Sequence, residues 1–179
     1  MGNKSKSEFA LERRAVVHRI LRDRGDAAVV TGIGNAVHDV ASAGDSEKNM
    51  YLAGVMGGAV MVAFGIALGQ LERRVLVITG DGELLAGIGS LAIIGVEKPK
   101  NLSIIVIDNE AYGATGNQQT HTGRGVDLVG IAKASGIVNA SLITNLSELE
   151  KGIQEHGIGF YNSQPRQDTI SGDWITSPD

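Results

Sequence analysis

Short runs rich in valine and isoleucine recur along the chain, alternating with stretches whose apolar residues return every three or four positions. The first kind has the length and composition of buried strands, the second the period of helices packed on one side. Strands are expected at Ala27–Val30, Arg74–Thr79, Asn101–Asp108 and Gly157–Tyr161, with a short strand or an extended entry into the Met56 turn at Tyr51–Ala53 and an extended segment at Val138–Ile143. A first helix is expected to run from a Ser7 cap to about Arg24, on a stripe of Phe9, Val16, Val17, Ile20 and Leu21. Others are expected over Asn35–Ala43, Gly58–Leu68 (apolar on nearly all sides), Leu84–Val96 and Val126–Ala134. A last one covers Asn145–Glu155, where Ser147 and Glu150 stand at capping-box spacing. Strands alternating with helices imply an α/β fold, a doubly wound parallel sheet flanked by helices. Glu110–Gly125 is rich in Gly, Thr, Gln and Asn and has no apolar period, so it reads as a long loop of the kind that often carries function.

At 179 residues the chain suits one domain, placed at 1–161, with a polar, aperiodic tail at 162–179. Its 42% hydrophobic and 20% charged residues are near globular averages, enough for a substantial core. A net charge of −4 gives no nucleic-acid footprint, which needs a clustered basic face. Arg13, Arg14, Arg19, Arg22 and Arg24 alternate with acids and read as the solvated face of the first helix. The absence of cysteine excludes disulfides and thiolate chemistry. Val55–Gly69 is glycine-laced and shorter than the roughly 20 residues of a membrane span. Met1–Ser7 is polar and lacks a signal-peptide core, so a cytoplasmic protein is expected.

Composition changes the picture at one point: 25 glycines against three prolines, gathered at expected strand ends, where backbone can approach a ligand closely. Gly80-Asp81-Gly82 closes one apolar strand and Asp108-Asn109 closes the next, with one helix between them. Two such ends lie side by side at the carboxyl edge of a parallel sheet. A carboxylate and an amide oxygen brought together there suit Mg²⁺, which prefers octahedral oxygen and takes substrate phosphates among its ligands. Taken alone, Gly80-Asp81-Gly82 also has the form of an ordinary Asp-Gly turn, and Asn109 that of an Asx turn. Gly32-x-Gly34 mimics a dinucleotide fingerprint, but Val37 holds the third glycine position and no acid closes a second strand at the required distance.

Four stretches together resemble the diphosphate-binding domain of thiamin-diphosphate enzymes: Thr31-Gly32-Ile33-Gly34-Asn35, Gly54-Val55-Met56-Gly57, Gly80-Asp81-Gly82 and Asp108-Asn109-Glu110-Ala111-Tyr112-Gly113. The resemblance covers roughly residues 8–155. It implies the thiamin-diphosphate-binding fold, with Asp81, Asn109 and the carbonyl of Ala111 as Mg²⁺ ligands. Gly32, Gly34, Asn35, Gly82, Glu83, Tyr112 and Gly113 would surround the diphosphate. Glu83 is awkward there, since a carboxylate repels a diphosphate unless it points away; otherwise it reads as a first-turn acid complementing the helix dipole. Met56, a core filler if met alone, would wedge under the bent cofactor, and the Gly54 carbonyl would accept from its amino group.

Gln118, Thr120 and His121 are similar to the Gly-x-Gln-x-Thr stretch of small decarboxylases, with Gln119 where proline is usual. His121 is the expected catalytic residue, its free pKa being near neutrality; a solvated loop histidine is the other reading. The chain resembles the beta subunits of two-chain 2-oxo acid decarboxylases of the sulfopyruvate type, and the C-terminal half of phosphonopyruvate decarboxylases. That implies loss of CO2 from a 2-oxo acid with an anionic tail, leaving an aldehyde. The family's activating glutamate belongs to a pyrimidine-binding domain for which this chain has no room. A pyrimidine-domain (alpha) partner and a hetero-oligomer are therefore expected, with no nucleic acid or membrane. A carboligase subunit resembling acetolactate synthase, or a non-catalytic cofactor-binding subunit, are the alternatives.

Overall fold

The structure is a computed structural model that describes residues 11–155 and 158–162. The strands are β1 (Ala28–Thr31), β2 (Asn49–Tyr51), β3 (Val75–Gly80) and β4 (Leu102–Asp108), then a short hairpin of β5 (Ala111–Tyr112) and β6 (Gln118–Gln119), then β7 (Ala140–Ile143) and β8 (Ile158–Asn162). All except the hairpin join one parallel sheet in the order β2-β1-β3-β4-β8-β7. The helices are α1 (Arg13–Arg22), α2 (Asn35–Ser42), α3 (Ala59–Gly69), α4 (Asp81–Ala86), α5 (Ser90–Glu97), α6 (Leu128–Ala134) and α7 (Leu146–Glu155).

The central strands are buried along nearly their whole length, as expected of a sheet covered on both sides. Alternate residues divide between two cores. Val75, Val77, Ile104 and Val106 pack with Ala63 and Phe64 of α3 and Leu91 and Ile94 of α5. Leu76, Ile78, Ile105 and Ile107 pack with Val17 of α1, Val40 of α2 and Leu149 of α7. The chain leaves β1 in one direction to β2 and returns to β3 on its other side, so the sheet reverses between β1 and β3. Crevices at the carboxyl ends of strands at such a reversal are where ligands bind in open α/β sheets.

Four expectations need correction. Leu11 and Glu12 are not helical, so the helix expected to run unbroken from Ser7 begins at Arg13. Its cap is Glu12, which accepts from the amides of Arg14 and Ala15; Ser7 and Phe9 lie outside the described residues. Its arginines are not simply a solvated face, for Arg13 turns inward onto Asp39 and Arg19 bonds Asp23 and Glu150. The helix expected over Leu84–Val96 is two, α4 and α5, broken at Gly87–Gly89. A methyl group on Gly57 would lie 2.7 Å from Gly87 N, and one on Gly87 2.0 Å from Gly57 O. The backbone of the Met56 turn therefore presses on the helix where it breaks. Finally, the cap of α7 is Asn145, whose side chain accepts from Glu148 N, while Glu148 reaches back to Thr144 N. That displaces the expected Ser147–Glu150 pair, and Glu150 instead bonds Arg19.

The loop expected over Glu110–Gly125 carries the β5–β6 hairpin and two 3₁₀ turns, Gly113–Thr115 and Thr122–Arg124. β8 takes in Asn162, and 163–179 lie outside the described residues. Among the described residues no helix is long and apolar enough to cross a membrane.

Candidate functional site

Register builds the site. Gly80 of β3 stands opposite Ile107 of β4, so Asp81 and the pair Asp108-Asn109 leave the sheet together at its carboxyl edge. Thr31 stands opposite Ile78, which sets Gly32 beside Thr79 at the same edge. A cavity of about 310 Å³ opens there. Every expected cofactor residue lines it except Gly32 and Gly54. Gly34 caps α2 at a φ of 78°, a left-handed conformation natural to glycine, and no side chain blocks the helix's first amides. The N-termini of α2 and of α4 thus both open toward the cavity.

Asp81 is 2% exposed, and its two oxygens have different surroundings. Oδ2 is held by hydroxyls: Thr120 donates to it, and Thr122 Oγ1 lies 3.0 Å away. The Thr122 hydroxyl also stands 2.8 Å from Asp108 Oδ1, so its single proton serves the pair. Oδ1 faces Asn109. The Asn109 amide oxygen lies 3.2 Å from Asp81 Oδ1 and 2.9 Å from the carbonyl oxygen of Ala111, with Ala111 N at 3.4 Å. Two arrangements satisfy those distances: the amide turned so that its nitrogen donates to both oxygens, or three oxygens sharing a cation. Octahedral Mg²⁺, with ligands at 2.0–2.1 Å, separates neighbouring oxygens by roughly 2.8–3.0 Å; the contact with Ala111 matches that spacing and the contact with Asp81 is slightly longer. One carboxylate, one amide and one carbonyl are also the hard-oxygen donors that ion prefers.

Asp108 is raised from the ordinary 3.8 to about 6, chiefly by burial and further by the charge of Asp81, with the Thr122 hydroxyl opposing. Glu83 lines the cavity but is buried, its carboxylate accepting from the Thr79 hydroxyl. A methyl group on Gly32 would fall 1.3 Å from Glu83 Oε2, so the carboxylate occupies the volume that any side chain at Gly32 would need. Burial raises the Glu83 carboxyl above its usual range, and the amides of Ala59, Gly57 and Ile33, with Thr79, pull the other way. Glu83 stands in the first turn of α4, where an acid complements the helix dipole, and is in addition an interior group between loops.

The ring of Tyr112 covers Gly82, where a methyl group would lie 2.2 Å from Cε1, and Asn35 Nδ2 stands 2.5 Å from the position of a Gly113 methyl. Met56 projects into the cavity and is 45% exposed. Gly54, at a φ of 79°, makes the turn that delivers it. His121 is exposed at the head of a 3₁₀ turn and does not line the cavity, although its neighbours Thr120 and Thr122 reach Asp81. Thr79 and Thr122 escaped sequence reasoning, because hydroxyls carry no spacing signal; Asp108 was seen as a strand end but given no role of its own. Arg13 and Asp39, paired at 2.6 Å, close the far end of the cavity and were equally silent.

Residues 32–159 match the family model described as "Thiamine pyrophosphate enzyme, C-terminal TPP binding domain". The chain belongs to the thiamin-diphosphate enzymes. Within that family it is 40% identical over 141 residues to the beta subunit of sulfopyruvate decarboxylase from Methanocaldococcus jannaschii, covering 78% of this chain and 74% of that one. It is 36% identical over 142 residues to phosphonopyruvate decarboxylase from Streptomyces viridochromogenes, covering 79% of this chain and 35% of the relative. Benzoylformate decarboxylase from Polynucleobacter necessarius shares the fold with a TM-score of 0.72 at 18% identity, over 94% of this chain and 36% of that one. The chain thus spans about a third of the length of the single-chain members it matches.

Proposed function

We propose that the chain is the diphosphate-binding subunit of a two-chain, Mg²⁺-dependent 2-oxo acid decarboxylase. The observation that carries the reading is the convergence of Asp81 Oδ1, the Asn109 side-chain amide and the Ala111 carbonyl beside a cavity edged by two open helix N-termini. Asp81, Asn109 and Ala111 would hold the metal, and the metal would hold the diphosphate. The amides of Gly34–Asn35 and Gly82 would take the remaining phosphate oxygens. Met56 would set the cofactor's bend, which matters because its amino group must reach the carbon that loses a proton. Thiamin diphosphate supplies an electron sink for the carbon that loses CO2, and the protein supplies position and electrostatics.

Likeness to sulfopyruvate and phosphonopyruvate decarboxylases supports a 2-oxo acid with an anionic tail as substrate. A partner is supported by the name of the beta-subunit relatives and by an apolar face on α3 and α5. Met61, Leu68, Ile93 and Val96 are exposed there, although α3 has the composition of an interior helix. The partner would be a pyrimidine-domain subunit that brings the activating glutamate.

The test is CO2 release from a panel of 2-oxo acids with thiamin diphosphate and Mg²⁺, by the chain alone and with its pyrimidine-domain partner. Release only by the mixture, abolished in Asp81→Ala, is the expected result. A cofactor-loaded complex that releases no CO2 from any of them overturns it. His121→Asn in the same assay decides the catalytic role considered for His121: unchanged kcat removes it.

A further inference from the structure

Three segments that reach the cavity arrive from distant parts of the chain: the β1–α2 loop at Gly32–Ile33, the Met56 turn at Gly54–Ala59, and the start of α4 at Asp81–Glu83. All three meet at one buried side chain. The Glu83 carboxylate accepts from Thr79 on β3, fills the space against Gly32, and has the amides of Ile33, Gly57 and Ala59 around it. Its Oε1 accepts no hydrogen bond, and the amides of Ile33, Gly57 and Ala59 favour its charged form through space in a buried setting, where such attraction is strong. A few residues on, Gly57 and Gly87 touch backbone to backbone. The Met56 turn is therefore fastened to α4 at two points, and the β1–α2 loop at one.

We propose that Glu83 is the positioning residue that locks these three segments into a single cofactor cradle. It sits two residues after Asp81 in the first turn of α4 and therefore moves with it. Any displacement of Gly32 or of the Met56 turn is opposed through the same carboxylate. The segment that would carry the metal, the one that would meet the diphosphate and the one that would bend the cofactor are held in one relative geometry before anything binds. Such preorganisation lowers the ordering cost of binding. The relation of Gly32 to Glu83 is also a reciprocal constraint: a carboxylate at 83 requires glycine at 32, and a methyl at 32 requires a small residue at 83.

The inference rests on the cofactor reading above, and its test separates the two. NMR-detected amide exchange on the full-length chain without cofactor is compared for wild type, Glu83→Gln and Glu83→Ala. Exchange at Ile33, Gly57 and Ala59 is expected to quicken at least tenfold in Glu83→Ala and less in Glu83→Gln, while amides of β3 and β4 keep their protection. Thiamin diphosphate titrated with Mg²⁺ into the chain with its partner is expected to bind 10- to 100-fold more weakly in Glu83→Ala and in Gly32→Ala. The double variant Gly32→Ala/Glu83→Ala is expected to bind more tightly than Gly32→Ala alone, since the new methyl takes the vacated volume. Unchanged exchange at the three amides, or a double variant no better than Gly32→Ala, overturns the proposal. If Glu83→Ala does not fold, Glu83→Gln decides by the same exchange measurement. Wild type that binds no thiamin diphosphate would instead sink the cofactor reading and leave the exchange result standing.

Discussion

Thr120, with no exposed surface, donates its hydroxyl proton to Oδ2 of Asp81 across a gap of 39 positions in the chain. The bond fixes which oxygen of Asp81 is spoken for and which is turned toward Asn109. Thr120→Val keeps the shape and deletes the donor. Loss of an outer partner of a metal-holding carboxylate costs about 10- to 100-fold in affinity. Mg²⁺-dependent thiamin diphosphate binding, followed calorimetrically in the complex, should weaken by that factor in Thr120→Val and much less in Thr120→Ser. Equal affinity in all three proteins would remove Thr120 from the site.

The contact between Gly57 and Gly87 gives a stability prediction. In Gly57→Ala the methyl meets Gly87 N at 2.7 Å, and the residue must keep a φ of 87°. Overpacking costs about 1–3 kcal/mol and the left-handed backbone about another 1–2. Urea denaturation of the chain should show a loss of about 2–5 kcal/mol. Gly65→Ala, in α3 with nothing near its new methyl, should instead gain about 0.5–1 kcal/mol from helix propensity. Similar effects at the two positions would deny the close approach.

How far was this legible in the sequence? The two central strands were, because Val75–Thr79 and Leu102–Ile107 are apolar runs suited to a doubly covered sheet; β2 was not placed well, for it is Asn49–Tyr51 and shares only Tyr51 with the expected segment. The pairing of Asp81 with Asn109 was legible for the same reason, since adjacent parallel strands leave their next residues side by side. The break at Gly87–Gly89 was not, because the apolar period runs through it. What interrupts the helix is the backbone of Gly57, a tertiary contact with no local trace. Glu83 looked like an ordinary first-turn acid, since nothing in the local sequence reveals that Gly32 makes room for it. Thr120 and Thr122 sit in a stretch without period, where only folding shows that two hydroxyls turn toward the same carboxylate.

Asp108 makes stability depend on pH in a direction that can be worked out. Its folded pKa of about 6 lies above the ordinary 3.8, so the folded state holds the proton more tightly than the unfolded one. Its contribution is therefore fully present below about pH 4 and is lost as pH rises through 6. Ionised at pH 7.5, it costs the metal-free chain about 2–3 kcal/mol. Asp108→Asn keeps the oxygen that accepts from Thr122 and from Glu110 N but cannot ionise. Thermal unfolding of the two proteins without Mg²⁺ should show the variant pulling ahead between pH 4.5 and 7.5. A gap that stays constant over that range would refute the assignment.

The far wall of the cavity rests on one ion pair. Asp39, fully buried on α2, holds Arg13 at 2.6 Å and Arg14 at 3.6 Å, while burial still raises its carboxyl above the usual range. Arg14 is 44% exposed and is the lesser partner, being screened by water. Arg13→Met strands a buried carboxylate and should destabilise the chain by about 3–5 kcal/mol; Arg14→Met should cost less than about 1 kcal/mol. Because that cost comes from the uncompensated charge rather than from lost attraction, Arg13→Met/Asp39→Leu should recover most of it. Chemical denaturation of these variants and of Asp39→Leu alone measures the cycle. If the double variant is no more stable than Arg13→Met, the pair contributes attraction in its own right, and the α1–α2 contact at the cavity wall is electrostatic rather than a matter of packing.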